Sequence, residues 1–192
     1  MTNPDDLLAE SLAGHTVKVH RKRMLRQDLR RRLEIYKGRP ELVVKEILSY
    51  LGERPQLRTV AIYSALPGEV ELSTLLEDTG RIWVFPKVQG EDLVFQQVKD
   101  MRKDLVVGSY GILEPKKKLP VVGAAEIDLF LCPGLGFDHA GARIGRGRGF
   151  YDRVLAKARP DAVKLGVCFG FQLVDKVDME EHDIRMNGVI AG

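Results

Sequence analysis

The chain has 192 residues, 44% of them hydrophobic, which suffices for one domain with a substantial buried core and is too little for two large ones. With 30 Lys and Arg against 27 Asp and Glu, the formal net charge of +3 excludes a polyelectrolyte binder built on overall charge. No run approaches the roughly 18 apolar residues of a membrane span, and the polar start MTNPDD lacks the order of a secretory signal, so a cytoplasmic protein without a membrane partner is expected.

Residues 1–16 are polar and aperiodic and are expected to form a flexible extension, leaving 17–192 as a single domain. Leu25, Leu29, Leu33 and Tyr36 then recur at helical spacing, which predicts an amphipathic helix to Tyr36, stopped by Gly38, Arg39 and Pro40. Its other faces are basic: Lys18, Arg21, Lys22, Arg23, Arg26, Arg30, Arg31 and Arg32 fall in a stretch whose only acid is Asp28. A second helical pattern covers Leu42, Val43 and Glu46 to Leu51. Thr59–Tyr63 reads as a buried strand, closed by Leu66-Pro67-Gly68 and followed by a short helix through Leu72–Leu76. Strands are predicted at Arg81–Pro86 and Asp92–Val98 around a turn at Gly90, then a loop from Gly108 to Pro120. Ile127–Cys132 is a further buried strand, 133–149 a glycine-rich loop and Phe150–Ala158 a helix, with strands at Lys164–Phe169 and Gly188–Ala191 to finish. Strands alternating with helices imply an α/β layered domain with a largely parallel central sheet. Cys132 and Cys168 each sit in an apolar run and read as buried, reduced thiols rather than a disulfide or zinc ligands.

The chemistry concentrates where PGLGFD leaves the strand at Cys132 and RIGRGRGFYD leads into the helix at Phe150. Glycines at 145, 147 and 149 permit positive φ and let backbone N–H groups converge on one point beside a helix N-terminus, an arrangement suited to phosphate. Arg146 and Arg148 would add charge-assisted hydrogen bonds, and Asp152 is placed to hold the Mg²⁺ that accompanies a nucleotide. The loop is not a Walker loop, because Ala142-Arg143 follows Gly136 and Gly141 where Lys-Ser/Thr is required. Nor is it a dinucleotide fingerprint, because Phe150 takes the place of the third glycine. From the residues alone, a basic surface loop stays open as the alternative. Lys22 and Arg26, one helical turn apart, could grip a phosphate chain, contact nucleic acid or face only solvent. Seven Phe, five Tyr and one Trp, mostly in core-like runs, argue against a stacking platform for nucleic acid. His182-Asp183 lacks a second histidine at zinc-ligand spacing. Glu69 lies just past the C-terminal end of a strand, the edge where α/β sheets build their sites.

DLFLCPGLGFDHAGARIGRGRGFYDR resembles the signature of the 5-formyltetrahydrofolate cyclo-ligase family, and LRQDLRRRL, YSALPGEVE, FPKV, YGILEP and FGFQLVDKVDMEEHDIRMNGVI extend the likeness over nearly the whole chain from about Lys22. The resemblance implies a three-layer α/β sandwich and an ATP- and Mg²⁺-dependent ligase. Its reaction converts 5-formyltetrahydrofolate into 5,10-methenyltetrahydrofolate, ADP and phosphate, by phosphorylating the formyl oxygen before a neighbouring folate amine attacks. It also implies ATP contacts from Lys22 and Arg26 and from Arg143, Ile144, Gly145, Arg146, Gly147, Arg148, Gly149, Phe150 and Tyr151. Folate contacts fall to Ser64, Glu69 and the loop centre Arg146, Gly147, Arg148, Gly149 and Phe150, catalytic roles to Arg148 and Tyr151, and Mg²⁺ to Asp152 and Asp183. Folate and ATP are the implied partners, with no nucleic acid and a monomer expected. Two positions depart from the family's pattern, Asn187 where an acid is common and Arg148 where Lys or Gly is frequent. The Lys116–Lys118 run reads as solvated loop or as a contact for the glutamate tail of folate.

Overall fold

The computed structural model describes residues 4–108 and 111–192, with the backbone alone for 4–13 and 15. Its helices are α1 (Pro4–Ile35), α2 (Pro40–Gly52), α3 (Met101–Asp104) and α4 (Phe150–Leu155). Its strands are β1 (Thr59–Ala61), β2 (Ile82–Gln89), β3 (Asp92–Gln97), β4 (Leu105–Val107), β5 (Leu113–Pro115), β6 (Val121–Val122), β7 (Leu129–Pro133), β8 (Gly136–Asp138), β9 (Arg143–Ile144), β10 (Val163–Cys168), β11 (Leu173–Val174) and β12 (Gly188–Ala191).

Apolar runs without polar alternation suit strands covered on both faces, and the side chains sort accordingly. From β1, β2, β7 and β10, the residues Val60, Trp83, Phe85, Leu129, Leu131, Leu165 and Val167 pack with Val43, Ile47 and Leu51 of α2. Their neighbours Ala61, Val84, Phe130, Cys132 and Cys168 point the other way, onto Val154 and Leu155 of α4. Two cores thus lie on either side of one sheet, which makes the three layers. The sheet runs β12-β10-β7-β1-β2-β3-β6. Its first five strands are parallel, and β3 and β6 join antiparallel at one edge. The expected α/β sandwich with a largely parallel sheet is therefore present.

Three local expectations are corrected. The first helix begins at Pro4, so residues 4–16, expected as a flexible extension, have a helical backbone. Leu7, Leu8, Ala9, Glu10, Leu12 and Ala13 are strong helix formers, and propensity makes a helix here where periodicity is absent. The loop expected over 108–120 contains β5, which pairs with β4 as a hairpin; Tyr110 of YGILEP lies outside the described residues. The loop expected over 133–149 contains β8 and β9, which form a small second sheet in the order β11-β8-β9. No described helix is long and apolar enough to cross a membrane.

Both thiols are sealed in the core, Cys132 at 0% and Cys168 at 1% exposure, and burial pushes each up to about 12. Because the thiolate is the reactive species, neither cysteine should react with a chromogenic disulfide reagent at pH 8 in the native protein. Both should react once the chain is unfolded in guanidinium.

Candidate functional site

One stripe of α1 carries both the anchoring leucines and the two candidate cations. Lys22, Arg26, Leu29 and Leu33 are spaced four, three and four apart, which keeps them on one side of a helix. Leu29 is fully buried against Leu135, Ala142, Ile144 and Val177 around the small sheet, with Leu25 and Leu33 beside it. That seat brings Lys22 and Arg26 down onto the glycine loop. Arg26 Nε donates to the carbonyl of Gly145 at 3.1 Å.

The loop itself is braced from both ends. Asp138, buried at the end of β8, accepts from the N–H groups of Ala140 (3.0 Å), Ala142 (2.8 Å) and Val177 (3.0 Å), which holds the β8–β9 turn against the segment after β11. At the far end Arg153 donates to the carbonyl of Arg148 at 3.1 Å and to that of Glu91 in the β2–β3 turn at 3.0 Å. Gly147 (φ 100°) and Gly149 (φ 66°) occupy the left-handed region, where glycine alone is at ease. Gly145, expected to do the same, does not; there the constraint is space, since a Cβ would lie 2.8 Å from Nη1 of Arg143.

Each carboxylate beside the loop has a cation on it. Arg143 Nη2 donates to both oxygens of Asp152 at 2.9 Å, and Oδ1 of Asp152 also accepts from the N–H of Ile184 at 3.4 Å. Arg146 donates through Nε and Nη2 to Oε1 of Glu69 at 3.1 and 3.0 Å. Lys22, only 6% exposed, donates to Asp183 at 2.6 Å and Glu180 at 2.9 Å. Burial works against the Lys22 ammonium, but its bonds to Asp183 and Glu180 prevail and raise its pKa above the ordinary lysine value. Burial would likewise raise the Asp183 carboxyl, and the Lys22 bond together with the Glu180 N–H reverses this, so it titrates below the usual range. Among the described residues Glu180, His182 and Asp183 also form a cluster, one ligand atom from each lying within 4.8 Å of the others. Glu180, absent from the sequence expectations, was visible only as one more acid in the run MEEHD.

These groups surround a cavity of about 500 Å³. Its walls include every residue that the resemblance singles out: Lys22, Arg26, Ser64, Glu69, the continuous run Arg143 to Asp152, and Asp183. Phe150 and Tyr151 stand at the mouth of α4, with Arg153 over the Phe150 ring at 5.3 Å and Arg143 over the Tyr151 ring at 5.5 Å. Burial holds the Tyr151 phenol well above its ordinary pKa, so it is a neutral O–H group. A second wall is apolar, built from Pro86, Val88, Leu93, Ile112 and Leu113. Lys116, Lys117 and Lys118 are exposed and outside the lining. Asn187 is outside it too, with its side chain accepting from the N–H of Lys164 at 2.7 Å.

A sequence profile described as the 5-formyltetrahydrofolate cyclo-ligase family matches residues 18–192. The chain belongs to that family. A 5-formyltetrahydrofolate cyclo-ligase of Mycolicibacterium smegmatis is 35% identical over 142 residues, covering 70% of this chain and 73% of the relative. The mouse protein of the same name is 25% identical over 187 residues, covering 88% and 92%. The solved structure of Aquifex aeolicus 5,10-methenyltetrahydrofolate synthetase superposes with a TM-score of 0.78 at 29% identity, covering 88% of this chain and 89% of the other. Membership makes the chain an enzyme, a ligase of folate chemistry.

The brace at Asp138 gives a direct test of how the loop is held. Asp138→Ala would leave the buried N–H groups of Ala142 and Val177 without an acceptor, each costing about 1–3 kcal/mol, while the N–H of the exposed Ala140 can turn to water. Urea unfolding should show a loss of about 2–4 kcal/mol, at the upper end if no water enters the space.

Proposed function

We propose that this cavity converts 5-formyltetrahydrofolate to 5,10-methenyltetrahydrofolate with consumption of ATP and release of ADP and phosphate, with Mg²⁺ as the accompanying ion. One observation carries the reading: the residues that the family resemblance implies come from four separate chain segments, and all of them line a single cavity with a cationic wall and an apolar one. The names of the relatives, cyclo-ligase and methenyltetrahydrofolate synthetase, point to the same reaction.

The chemistry accounts for both walls. A formyl amide is a poor electrophile whose oxygen is a poor leaving group. Attack of that oxygen on the terminal phosphorus of ATP forms the O–P bond and expels ADP. The neighbouring folate amine then bonds to the formyl carbon, loses its proton, and phosphate departs with the original oxygen. Such transfer depends mostly on positioning and charge stabilisation. Lys22, Arg26, Arg143, Arg146 and Arg148, with the N–H groups from Ile144 to Tyr151, supply both to the phosphates, and the neutral Tyr151 O–H can donate without adding charge. The apolar wall and Phe150 take the flat pterin, while Ser64 and Glu69 contact it from the strand end.

The carboxylates suit the ion. Asp183 and Glu180 already hold one cation, the Lys22 ammonium, and Asp152 is tied to the adjacent Ile184; such oxygen donors match Mg²⁺. Asp152 and Asp183 are its proposed ligands, and when bound it neutralises phosphoryl oxygens. Lys22, Arg143 and Arg146, now on carboxylates, would turn to an entering phosphate, and the carboxylates they leave would be the oxygen donors that hold the ion.

Methenyl product and ADP should accumulate in equal amounts, and only with ATP and Mg²⁺ both present; ADP release without methenyl product in a coupled spectrophotometric assay would refute the reading. Lys22→Ala and Arg26→Ala should each weaken Mg-ATP binding about tenfold or more by calorimetric titration, as the loss of a charge-assisted hydrogen bond implies. Arg31→Ala, on the exposed side of the same helix, should change it little.

A further inference from the structure

The carboxylates that contact the loop are all paired, and Glu114 on β5 is not. It lines the cavity and is only 6% exposed, yet among the described residues its buried Oε1 has no hydrogen-bond partner. An unsatisfied buried acceptor costs about 1–3 kcal/mol, and more when charged. Such a group calls for an explanation, and in a cavity wall a partner supplied by a bound molecule is one.

The strand that carries Glu114 is fixed on both flanks, and its side chain lies against Gly108. Ser64 donates to the carbonyl of Leu113 at 2.6 Å and Lys87 to that of Pro115 at 2.5 Å, so the backbone is pinned on both flanks of Glu114. Oε2 and Cδ press on Gly108, where an added Cβ would collide with both. Around it the cavity wall is the apolar set of Pro86, Val88, Leu93, Ile112 and Leu113. A fixed carboxylate in an apolar wall selects a flat ring that presents adjacent N–H donors on one edge. It repels phosphates and the anionic tail of folate, which places those elsewhere in the cavity.

We infer that Glu114 is the specificity-determining residue for the folate, accepting hydrogen bonds from the 2-amino group and neighbouring ring N–H of its pterin. This rests on the cyclo-ligase reading of the same cavity. The 2-amino-4-oxo pyrimidine edge carries two donors side by side, which one carboxylate can accept together. Docking that edge on β5 turns the opposite side of the ring system, with its formyl group, away from Glu114.

The test measures binding of 5-formyltetrahydrofolate and of its 2-desamino-2-methyl analogue by titration, on the wild-type protein and on Glu114→Gln. The wild type should bind the analogue about tenfold or more weakly than the parent, in keeping with a charge-assisted hydrogen bond. Glu114→Gln should lose about tenfold or more for the parent and little further for the analogue, because the two changes remove one contact. Mg-ATP affinity and the unfolding midpoint should stay near wild type. Gly108→Ala, which displaces the carboxylate without altering its charge, should weaken the parent as well. Parent and analogue bound equally by the wild type would overturn the assignment without needing any variant. So would a Glu114→Gln protein that binds the parent normally, or that loses equally for both ligands. A wild-type protein that makes no methenyl product and binds no 5-formyltetrahydrofolate would remove the functional reading and this assignment together.

Discussion

An ammonium group nearly sealed from water, held by two carboxylates 158 and 161 residues further along the chain, is the constraint on which the site depends. Removing a cation from water costs several kcal/mol, and attraction in a low-dielectric interior returns that only if the partners are close and their remaining bonds are made. Lys22 meets the condition with Asp183 and Glu180, and Asp183 is fixed in turn by the Glu180 N–H at 2.8 Å. The first helix and the segment before β12 are thereby locked to one another, with the glycine loop between them. A buried pair of this kind is weak evidence for stability, since apolar residues of equal volume serve as well. Its value here is positional: it places a cation and two carboxylates at the edge of the same cavity.

Charge balance extends from this pair through the whole cationic wall. Arg143 neutralises Asp152 and Arg146 neutralises Glu69. Without such pairs, the concentration of arginines on one short loop would repel itself and open the loop to solvent. With them, the cations are already oriented, so an incoming anion finds its partners placed and has to compete for them. Arg146 is 39% exposed but Glu69 only 7%, so parting them leaves a nearly buried carboxylate unless another donor takes the place of Arg146. The bidentate Arg143–Asp152 pair, with both side chains largely buried, is more expensive to open. Both pairs thus hold a largely buried carboxylate, and they differ in how far the arginine itself reaches water.

The layers of the fold were legible because β1, β2, β7 and β10 are covered on both faces, and such strands leave uninterrupted apolar runs. Elements of two or three residues left no period to detect, which is why β8 and β9 were hidden in one expected loop and β5 in another. The helical backbone of residues 4–16 rests on composition rather than pattern. In the site, the Gly-Arg loop was visible because its parts are contiguous. Glu180 was not, since its partner Lys22 is distant in sequence and only the docking of Leu29 brings the two together. Glu114 gave a weak signal: an acid flanked by Leu113 and Pro115 within a three-residue strand, which no alternation rule can place inward.

The two ends of the cavity differ in what a ligand must undo. At the cationic end the carboxylates have partners, so binding an anion there is an exchange whose net gain is the difference between two sets of charged hydrogen bonds. At the apolar end the one charged group, Glu114, has no bond to surrender at its buried oxygen, and a donor edge arriving there gains a hydrogen bond while displacing only whatever water the space admits. A ring seated in this way gains from the apolar wall as well, at about 25 cal/mol per Å² removed from water. On the proposed reading, a substrate spanning both ends would be held by its ring against the apolar wall, leaving its reactive group to the part of the cavity where charge can be redistributed.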